Sequence, residues 1–592
     1  MTALLAACSD GGQSSSRTAN TTQTEVTRTP DPATFSVGNA VADINAWMTA
    51  WTLNDLVKTA GHEEQEYAHD SSMWIPHIEG IGYYDRSLEV ITDASGWPTT
   101  LTLSNGDQAD SLAFGVLGSA GDLADAYATG TYVLTYEGEG QFSFNGMTVI
   151  SESAGQINLD YSGNQVVQVH ITETDPEATG NYLRNLQLLR PDSVEGERFN
   201  ADYLDFVRPF SVIRPLHMSG EPNTYGFADE NGERSYFQGD GAWGKRPQLS
   251  DSHWGGAMGS PWEVIIDLAN QSQSDLWINL PIAADDAYLT QLAQLVLEQL
   301  DSERVLYIEL GNELWNWDAP YAFGRAYAFE QAQLRWPDVL NSVTSYSDGD
   351  PVSEPMMTFS WQAARTLEAA AIFDSVWGQQ SERIAVVLAG QIGASVPGWD
   401  YNRMLLEAPV LVGEEGTAMP GTLVDALAIG TYFGEPHEVE SLAFDRSSVE
   451  AYLADAVRYI NGESPYDESS EEAGLRYQVR NDKMLADEFN LPLVSYEGGQ
   501  HFIGDAYVRD EVNVHTDMYD AYRALFSMWQ EEGGGLFVHL NGIIPRGGFE
   551  PDPEYFESEN FGIKETQTAT EAEAPKWHAV MDVMRETGQL AD

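Results

Sequence analysis

Residues 305–317 have the sequence VLYIELGNELWNW, an apolar run that leads directly into Gly311, Asn312 and Glu313. Short apolar runs rich in Val, Ile, Leu and Tyr are typical of strands buried on both faces of a parallel sheet. The segment contains the only Asn-Glu dipeptide of the chain, at the end of the predicted strand. Parallel α/β folds place ligand-binding residues at this end of their strands, so Glu313 is a candidate functional carboxylate.

A second carboxylate occupies a similar position further along the chain. Residues 491–499 have the sequence LPLVSYEGG, in which Glu497 follows an apolar strand and precedes two glycines. The carboxyl ends of parallel strands meet at one edge of the sheet, which would bring Glu313 and Glu497 to the same cleft. With 92 acidic residues in the chain, a single such glutamate would more often be a solvated loop residue. The pair is the informative feature.

The chain from about residue 191 alternates apolar strand candidates with helical patterns, which predicts a (β/α)8 TIM barrel over residues 191–592. The strand candidates are Phe210–Pro215, Leu276–Leu280, Val305–Leu310, Ile384–Ala389, Ala426–Tyr432, Leu493–Tyr496 and Leu536–Leu540. These are seven, and a closed barrel of this kind needs eight. The missing strand is predicted at Phe35–Asn39, within a first strand-and-helix unit over 35–85, with Leu183–Leu189 as the alternative.

Residues 86–190 have a different sequence pattern. Short alternating runs such as Thr131–Tyr136 and Gln165–Ile171 are separated by Gly, Asn and Asp turns, and the second half shows no helical pattern. This predicts an accessory antiparallel β-sandwich, inserted between the first and second barrel strands. Two roles are compatible with this sequence pattern: the sandwich could bind glycan, or it could be a structural scaffold.

The two carboxylate motifs resemble those of the retaining clan A glycoside hydrolases, in which Asn-Glu ends barrel strand four and a lone Glu ends strand seven. The resemblance covers about two thirds of the chain and implies that Glu313 is the acid/base and Glu497 the nucleophile. Asn312 would then bind the sugar 2-hydroxyl. The resemblance extends to two further residues. Arg214 would hold the nucleophile in place, and Tyr432 would hydrogen-bond it.

The last strand departs from the clan pattern. Much of the clan ends this strand in Trp, whereas residues 537–542 of this chain have the sequence FVHLNG. His539 and Asn541 are therefore the candidates for substrate contacts there. The sequence also resembles a little-described group of bacterial secreted proteins that share the Gly-Asn-Glu-x-Trp-Asn motif and a preceding sandwich.

Further candidates for the walls of a sugar subsite are aromatic or imidazole side chains that could equally be packing residues. They are His217, Trp243, Trp277 and Trp315.

The predicted function is a retaining hydrolase of β-linked polysaccharide or oligosaccharide, because retention requires two carboxyls, one protonated and one ionised. A transglycosylase would use the same residues. A surface glycan-binding lipoprotein on an inactive barrel is the alternative outside enzyme chemistry.

The net charge of the chain excludes some classes of binding partner. The 92 acidic residues outnumber the 29 Lys and Arg, which gives a net charge of −63. Nucleic acid and anionic membrane surfaces would be repelled, and a surface this acidic is typical of a marine or halophilic protein. Only one cysteine is present, and the histidines lack the spacing of a helical zinc pair. No metal and no cofactor are expected.

The N-terminus predicts attachment to a membrane by lipid. Leu4-Leu5-Ala6-Ala7-Cys8 resembles the end of a bacterial lipoprotein signal, so residues 1–8 would be a signal remnant with Cys8 as the lipidation site. Residues 9–34 are rich in Ser, Thr, Gln and Gly and are expected to be a flexible linker. The expected location is the outer membrane or cell surface, or otherwise the periplasm or the medium.

Overall fold

The computed structural model describes residues 28–60, 73–78, 89–118, 126–163, 165–191, 193–194, 196–220, 243–256, 259–317, 321–339, 353–413, 416–434, 444–469, 473–502, 511–545 and 561–590. Cys8 and residues 9–27 lie outside these ranges.

Eight parallel strands form a closed barrel, and helices follow most of them. The strands, in order around the barrel, are β1 (Val37–Ala40), β10 (Val212–Ile213), β11 (Asp275–Leu280), β12 (Leu306–Leu310), β13 (Ile384–Gly390), β14 (Ala426–Phe433), β15 (Leu493–Gln500) and β16 (Phe537–Leu540). β1 closes the barrel by pairing with both β10 and β16. The first strand therefore lies in the segment that the sequence favoured. This is the (β/α)8 TIM barrel that the strand pattern predicted.

The described helices are α1 (Ala201–Val207), α2 (Trp262–Ser272), α3 (Asp286–Gln299), α4 (Tyr321–Arg335), α5 (Glu354–Trp377), α6 (Tyr401–Glu407), α7 (Pro409–Val412), α8 (Val449–Asn461), α9 (Leu475–Glu488), α10 (Met518–Glu531) and α11 (Pro575–Glu586). Several begin at a side-chain cap that satisfies a free backbone N–H of the first turn. Asp285 accepts from the amide of Tyr288, and Ser448 accepts from that of Ala451.

Side chains alternate between two apolar cores along each barrel strand, because successive strand residues point to opposite faces. On β12, Tyr307 packs in the barrel interior, whereas Leu306 and Ile308 pack beneath the helices. Glu309 follows the same alternation and has its side chain on the interior side, where its partners Arg214 and Trp277 lie. Because of this alternation, the charged side chain of Glu309 is buried in the barrel interior, near the carboxyl end of β12.

Two four-stranded antiparallel sheets precede the second barrel strand. One contains β2 (Ile75–His77), β3 (Ser111–Leu117), β8 (Val167–Thr174) and β5 (Gly140–Asn145); the other contains β6 (Thr148–Ser153), β7 (Gln156–Tyr161), β4 (Gly130–Glu137) and β9 (Arg184–Leu189). Residues of both sheets share one apolar cluster. β9 occupies the segment that the sequence offered as the alternative first barrel strand.

The predicted linker over residues 9–34 must be shortened, because its last residues pack against the barrel. Arg28 forms an ion pair with the buried Asp275 at 2.8 Å, and the carbonyl oxygen of Pro32 accepts from the Leu536 amide at 3.0 Å. A side chain at Gly535 would collide with that same carbonyl oxygen. Residues 28–34 therefore belong to the folded body. In the described part of the chain, no helix is both long and apolar enough to cross a membrane.

Candidate active site

Glu313 is displayed on a strained turn just beyond β12. Gly311 has φ +67°, and Glu313 itself has φ +47°, a left-handed conformation that costs a non-glycine residue on the order of 1–3 kcal/mol. Glu313 is 7% exposed, and its carboxyl group accepts hydrogen bonds from the Tyr496 hydroxyl at 2.8 Å and from Asn316 Nδ2 at 2.9 Å. The turn thus holds the carboxyl in one orientation above the barrel interior.

Glu497 lies on β15, beside an irregularity that matters for the site. In the pairing of β14 with β15, Ile429 is opposite Ser495 and Gly430 is opposite Glu497, so Tyr496 is an extra residue in a β-bulge. The bulge allows two successive side chains to reach the site. Tyr496 donates to Glu313, and Glu497 accepts from Arg214. A regular strand would send one of them to the helical side.

Arg214 joins the residues of the site into one network. Its Nη1 donates to Glu497 at 3.0 Å, while Nε and Nη2 donate to Glu309 at 2.9–3.1 Å. Its Nη2 also donates to Asn312 Oδ1 at 2.9 Å. The guanidinium is fully buried, and Trp277 Nε1 supplies Glu309 with a further hydrogen bond at 2.9 Å. The fork geometry of Arg allows one cation to bind two carboxylates at once.

The electrostatics distinguish the two candidate catalytic carboxyls. Burial and, after it, the nearby charge of Glu497 raise the pKa of Glu313 from 4.5 to about 8. At neutral pH Glu313 is therefore mainly protonated. Glu497 instead has the permanent cation of Arg214 beside it. A protonated and an ionised carboxyl side by side can act as acid and nucleophile.

Tyr432 lies near the end of β14, close enough to Glu497 for the charge of that carboxylate to act on its phenol group. Burial, followed by the charges of Glu497 and Glu313, raises the pKa of this phenol well above its ordinary value. Tyr432 therefore stays protonated and can donate to Glu497. Its ring packs against those of His501 and Phe561, with centroids 5.3 and 6.2 Å away.

Three of the predicted subsite residues are half-buried. The Trp315 indole lies beside the Tyr496 hydroxyl, although its Nε1 lacks a well-aligned partner in the structure. His217 lies in a short 3-10 helix just after β10. Trp243 packs against Tyr288 of α3 and under Arg246, so its contacts are with the outer layer.

The structure corrects the expectation for His539. On β16, Val538 and Leu540 point into the barrel, so His539 points towards the helices. Its Nδ1 donates to the Asn541 carbonyl oxygen at 3.2 Å, and its Nε2 accepts from the Tyr522 hydroxyl of α10 at 2.8 Å. Burial lowers the pKa of this imidazole to about 3, which keeps it neutral. His539 therefore joins β16 to α10.

Asn541 follows β16 with φ +58°, is 2% exposed, and has a buried side-chain oxygen that accepts no hydrogen bond from the described residues. Such an acceptor is available to a hydroxyl group.

Sequence reasoning missed Glu309, Tyr496 and Asn316. A charged residue two positions after Tyr307 in an otherwise apolar strand was a readable sign of Glu309. The role of Tyr496 depends on the bulge, and no pattern in the sequence indicates a bulge at that position.

No group of three or more His, Cys, Asp or Glu side chains in the described ranges is arranged to hold a metal ion.

Comparison with known proteins gives a fold-level likeness only. No family model and no curated protein matches the chain. Among solved structures, a xyloglucan-specific endo-β-1,4-glucanase from a metagenomic library is 14% identical, with a TM-score of 0.31 over 64% of this chain and 87% of that chain. An endo-1,4-β-D-mannanase from Thermotoga petrophila is 12% identical, with a TM-score of 0.28 over 64% and 94%.

A two-module endo-1,4-β-D-xylanase from Clostridium thermocellum, complexed with xylohexaose, is 9% identical, with a TM-score of 0.31 over 94% of this chain and 99% of that chain. These neighbours are clan A glycoside hydrolases, the group that the two glutamate motifs resemble. At such TM-scores they carry no argument about substrate or mechanism, which must rest on the residues of this chain.

Proposed function

We propose that the protein is a retaining glycoside hydrolase that cleaves β-linked polysaccharide or oligosaccharide by double displacement. The observation that carries the proposal is the pairing of two buried carboxyls at the carboxyl ends of two barrel strands. One of them, Glu313, has a pKa of about 8, and the other, Glu497, is bound by Arg214. Pairs of titratable groups held in opposite protonation states are typical of acid/base catalysis.

In the first step, the Glu497 carboxylate attacks the anomeric carbon, and the bond from that carbon to the glycosidic oxygen breaks. Glu313 donates its proton to the departing oxygen, so the leaving group departs as a neutral alcohol. Asn312 would bind the 2-hydroxyl of the sugar, and Arg214 already orients its side-chain oxygen. Tyr432 and Arg214 hold Glu497 in position for the attack.

In the second step, Glu313 is an ionised base. Glu497 has become a neutral ester, so the repulsion that raised the pKa of Glu313 is gone. The Glu313 carboxylate takes a proton from water, the resulting oxygen attacks the anomeric carbon, and Glu497 leaves as a carboxylate. Arg214 stays protonated through both steps, which gives the nucleophile the same cation at the start and at the end.

The proximity of the two carboxyls supports retention over inversion. An inverting enzyme separates its carboxyls by about 6.5–9.5 Å to admit a water molecule, whereas a retaining enzyme keeps them about 5–5.5 Å apart. Glu313 lies close enough to Glu497 for the charge of that carboxylate to raise its pKa, and Tyr496, the neighbour of Glu497 in the chain, donates to Glu313 at 2.8 Å. This proximity favours the shorter separation of a retaining pair.

The accessory region and the N-terminus add two parts to the proposal. The two antiparallel sheets would form a β-sandwich inserted after the first barrel unit, which their shared apolar cluster supports. Lipidation of Cys8 would tether the enzyme to the outer membrane or cell surface, which the Leu-Ala-Ala-Cys sequence supports. Residues 9–27 would then be the spacer.

The test is product analysis on a panel of neutral β-linked polysaccharides: xylan, mannan, xyloglucan and β-glucan. Proton NMR in the first minutes of hydrolysis should show the β-anomer of the new reducing end before mutarotation. Glu497→Ala provides the matched control and should release no product. Initial appearance of the α-anomer would contradict retention. Absence of new reducing ends on every substrate, with the folded wild-type protein, would refute the hydrolase assignment.

A further inference from the structure

Two tryptophans differ from the other large aromatic side chains in their exposure. In the described ranges, Trp317 at 56% and Trp399 at 44% are the exposed members among the Trp and Phe residues. Trp317 follows β12, and Trp399 follows β13, the next strand of the barrel. Both loops leave the carboxyl ends of their strands, which is the end that carries Glu313. Both exposed rings therefore lie at the end of the barrel that carries Glu313, where a bound ligand would remove their apolar surface from water.

The loop that carries Trp399 contains a hydrogen-bonded turn that restricts its backbone. Val396 and Trp399 exchange backbone hydrogen bonds of 3.2 and 2.9 Å across a two-residue turn of Pro397 and Gly398. Gly398 has φ +89°, the conformation that a type II turn requires after proline. Such a turn restricts the backbone on both sides of the exposed indole.

A buried carboxylate anchors the base of the same loop. Asp482 of α9 is fully buried and accepts from the Gly393 amide at 2.8 Å and from the Ser395 hydroxyl at 2.5 Å. Asn402 Nδ2 also donates to Asp482 at 3.0 Å. The loop is therefore fixed at several points, and an exposed ring on a fixed loop loses little conformational entropy when a ligand stacks on it.

Trp317 is supported on one face of its ring. The Arg325 guanidinium lies over the indole, 2.9 Å from its centroid, and is held there by Glu354 at 3.1 Å and the Trp315 carbonyl oxygen at 3.2 Å. The residue is still 56% exposed, so much of its surface is accessible to a ligand. The Trp317 Cα lies at most about 14 Å from that of Glu313, since only four residues of chain separate them.

We propose that Trp317 and Trp399 are stacking platforms for sugar units beyond the one that Glu497 attacks, so that the enzyme binds several consecutive units of a polysaccharide and cleaves within the chain. The inference rests on the proposed function and adds to it the length of substrate that is recognised. A pyranose ring presents a face of C–H groups that covers an indole, while its hydroxyls stay in water. Indole rings suit such half-polar ligands.

The test compares Trp317→Ala and Trp399→Ala with Leu334→Ala, a matched control that removes a 69% exposed apolar side chain from α4. Each variant is assayed on the polysaccharide cleaved best by the wild type and on a dinitrophenyl glycoside of the corresponding single sugar. We expect each tryptophan variant to lose about tenfold in kcat/KM on the polysaccharide, through KM. On the single-sugar glycoside we expect less than a twofold change, and Leu334→Ala should match the wild type on both substrates.

Tryptophan variants that match Leu334→Ala on the polysaccharide would overturn the inference and leave the proposed function standing. Equal losses on both substrates would also overturn it, because the tryptophans would then support the catalytic centre itself. A folded wild-type protein that cleaves neither substrate would instead refute the proposed function. Release of single sugars alone from the polysaccharide would refute cleavage within the chain.

Discussion

The substitution Glu313→Gln should make the protein more stable at neutral and alkaline pH. Glu313 has a pKa of about 8 in the folded protein, whereas an unperturbed glutamate has 4.5. Between these two values the native state keeps a proton that the unfolded chain has lost. Because the native state binds more protons there, the free energy of unfolding falls as the pH rises from 4.5 to about 8. Glutamine has no proton to lose.

The magnitude follows from the two pKa values. Each pKa unit corresponds to about 1.4 kcal/mol, so the wild type loses up to about 5 kcal/mol of stability across the whole interval. At pH 7 the expected loss is about 3 kcal/mol. Glutamine also copies the shape of the protonated acid, and its side-chain oxygen can still accept from Asn316. The substitution therefore removes the cost of ionisation without opening a cavity.

The assay is urea unfolding from pH 4.5 to 9, followed by circular dichroism. The difference in free energy of unfolding between Glu313→Gln and wild type should increase with pH and level off near pH 8. Glu298→Gln on the exposed face of α3 is the control. Its free energy of unfolding should change with pH in the same way as that of the wild type. Parallel curves for Glu313→Gln and wild type would refute the protonated state that we assign to Glu313.

Three further predictions concern the network, the N-terminal segment and the anchor. Arg214→Lys should lower kcat/KM by at least about 100-fold, because one ammonium group cannot bind Glu309 and Glu497 as the guanidinium does; a loss below tenfold would contradict this. A chain that begins at residue 36 should be less stable than one that begins at residue 28 by about 1–3 kcal/mol, since it lacks the Pro32 acceptor of Leu536; equal thermal denaturation midpoints would show that the segment is dispensable. Cys8→Ser should move the protein from the membrane fraction to the soluble one, and unchanged fractionation would exclude lipidation at Cys8.

The barrel could be predicted from the sequence because its strands are buried on both faces. Residues 384–390 and 426–433 are nearly continuous apolar runs, and the helical patterns between strands are long. The second strand is only two residues, Val212–Ile213, and lies within the predicted segment Phe210–Pro215.

Most of the remaining differences come from long-range contacts. His539 points to the helices because of the register of β16, and the sequence of the strand does not show which face is interior. Residues 28–34 have a linker-like composition, yet they lie against the barrel. A backbone hydrogen bond can fix such a segment even where it lacks apolar side chains. The bulge at Tyr496 exists only in the pairing of β15 with β14. These features arise from neighbouring strands rather than from local pattern.

The measurement that tests the central claim most directly is the stereochemistry of azide products. The substrate is an activated dinitrophenyl glycoside, and the two variants are Glu497→Ala and Glu313→Ala. Without the nucleophile, azide should attack from the vacated side and give the glycosyl azide of inverted configuration. Without the acid/base, azide should attack the glycosyl-enzyme and give the azide of retained configuration. Proton NMR distinguishes the two anomers. The same configuration from both variants would contradict the roles assigned to Glu313 and Glu497.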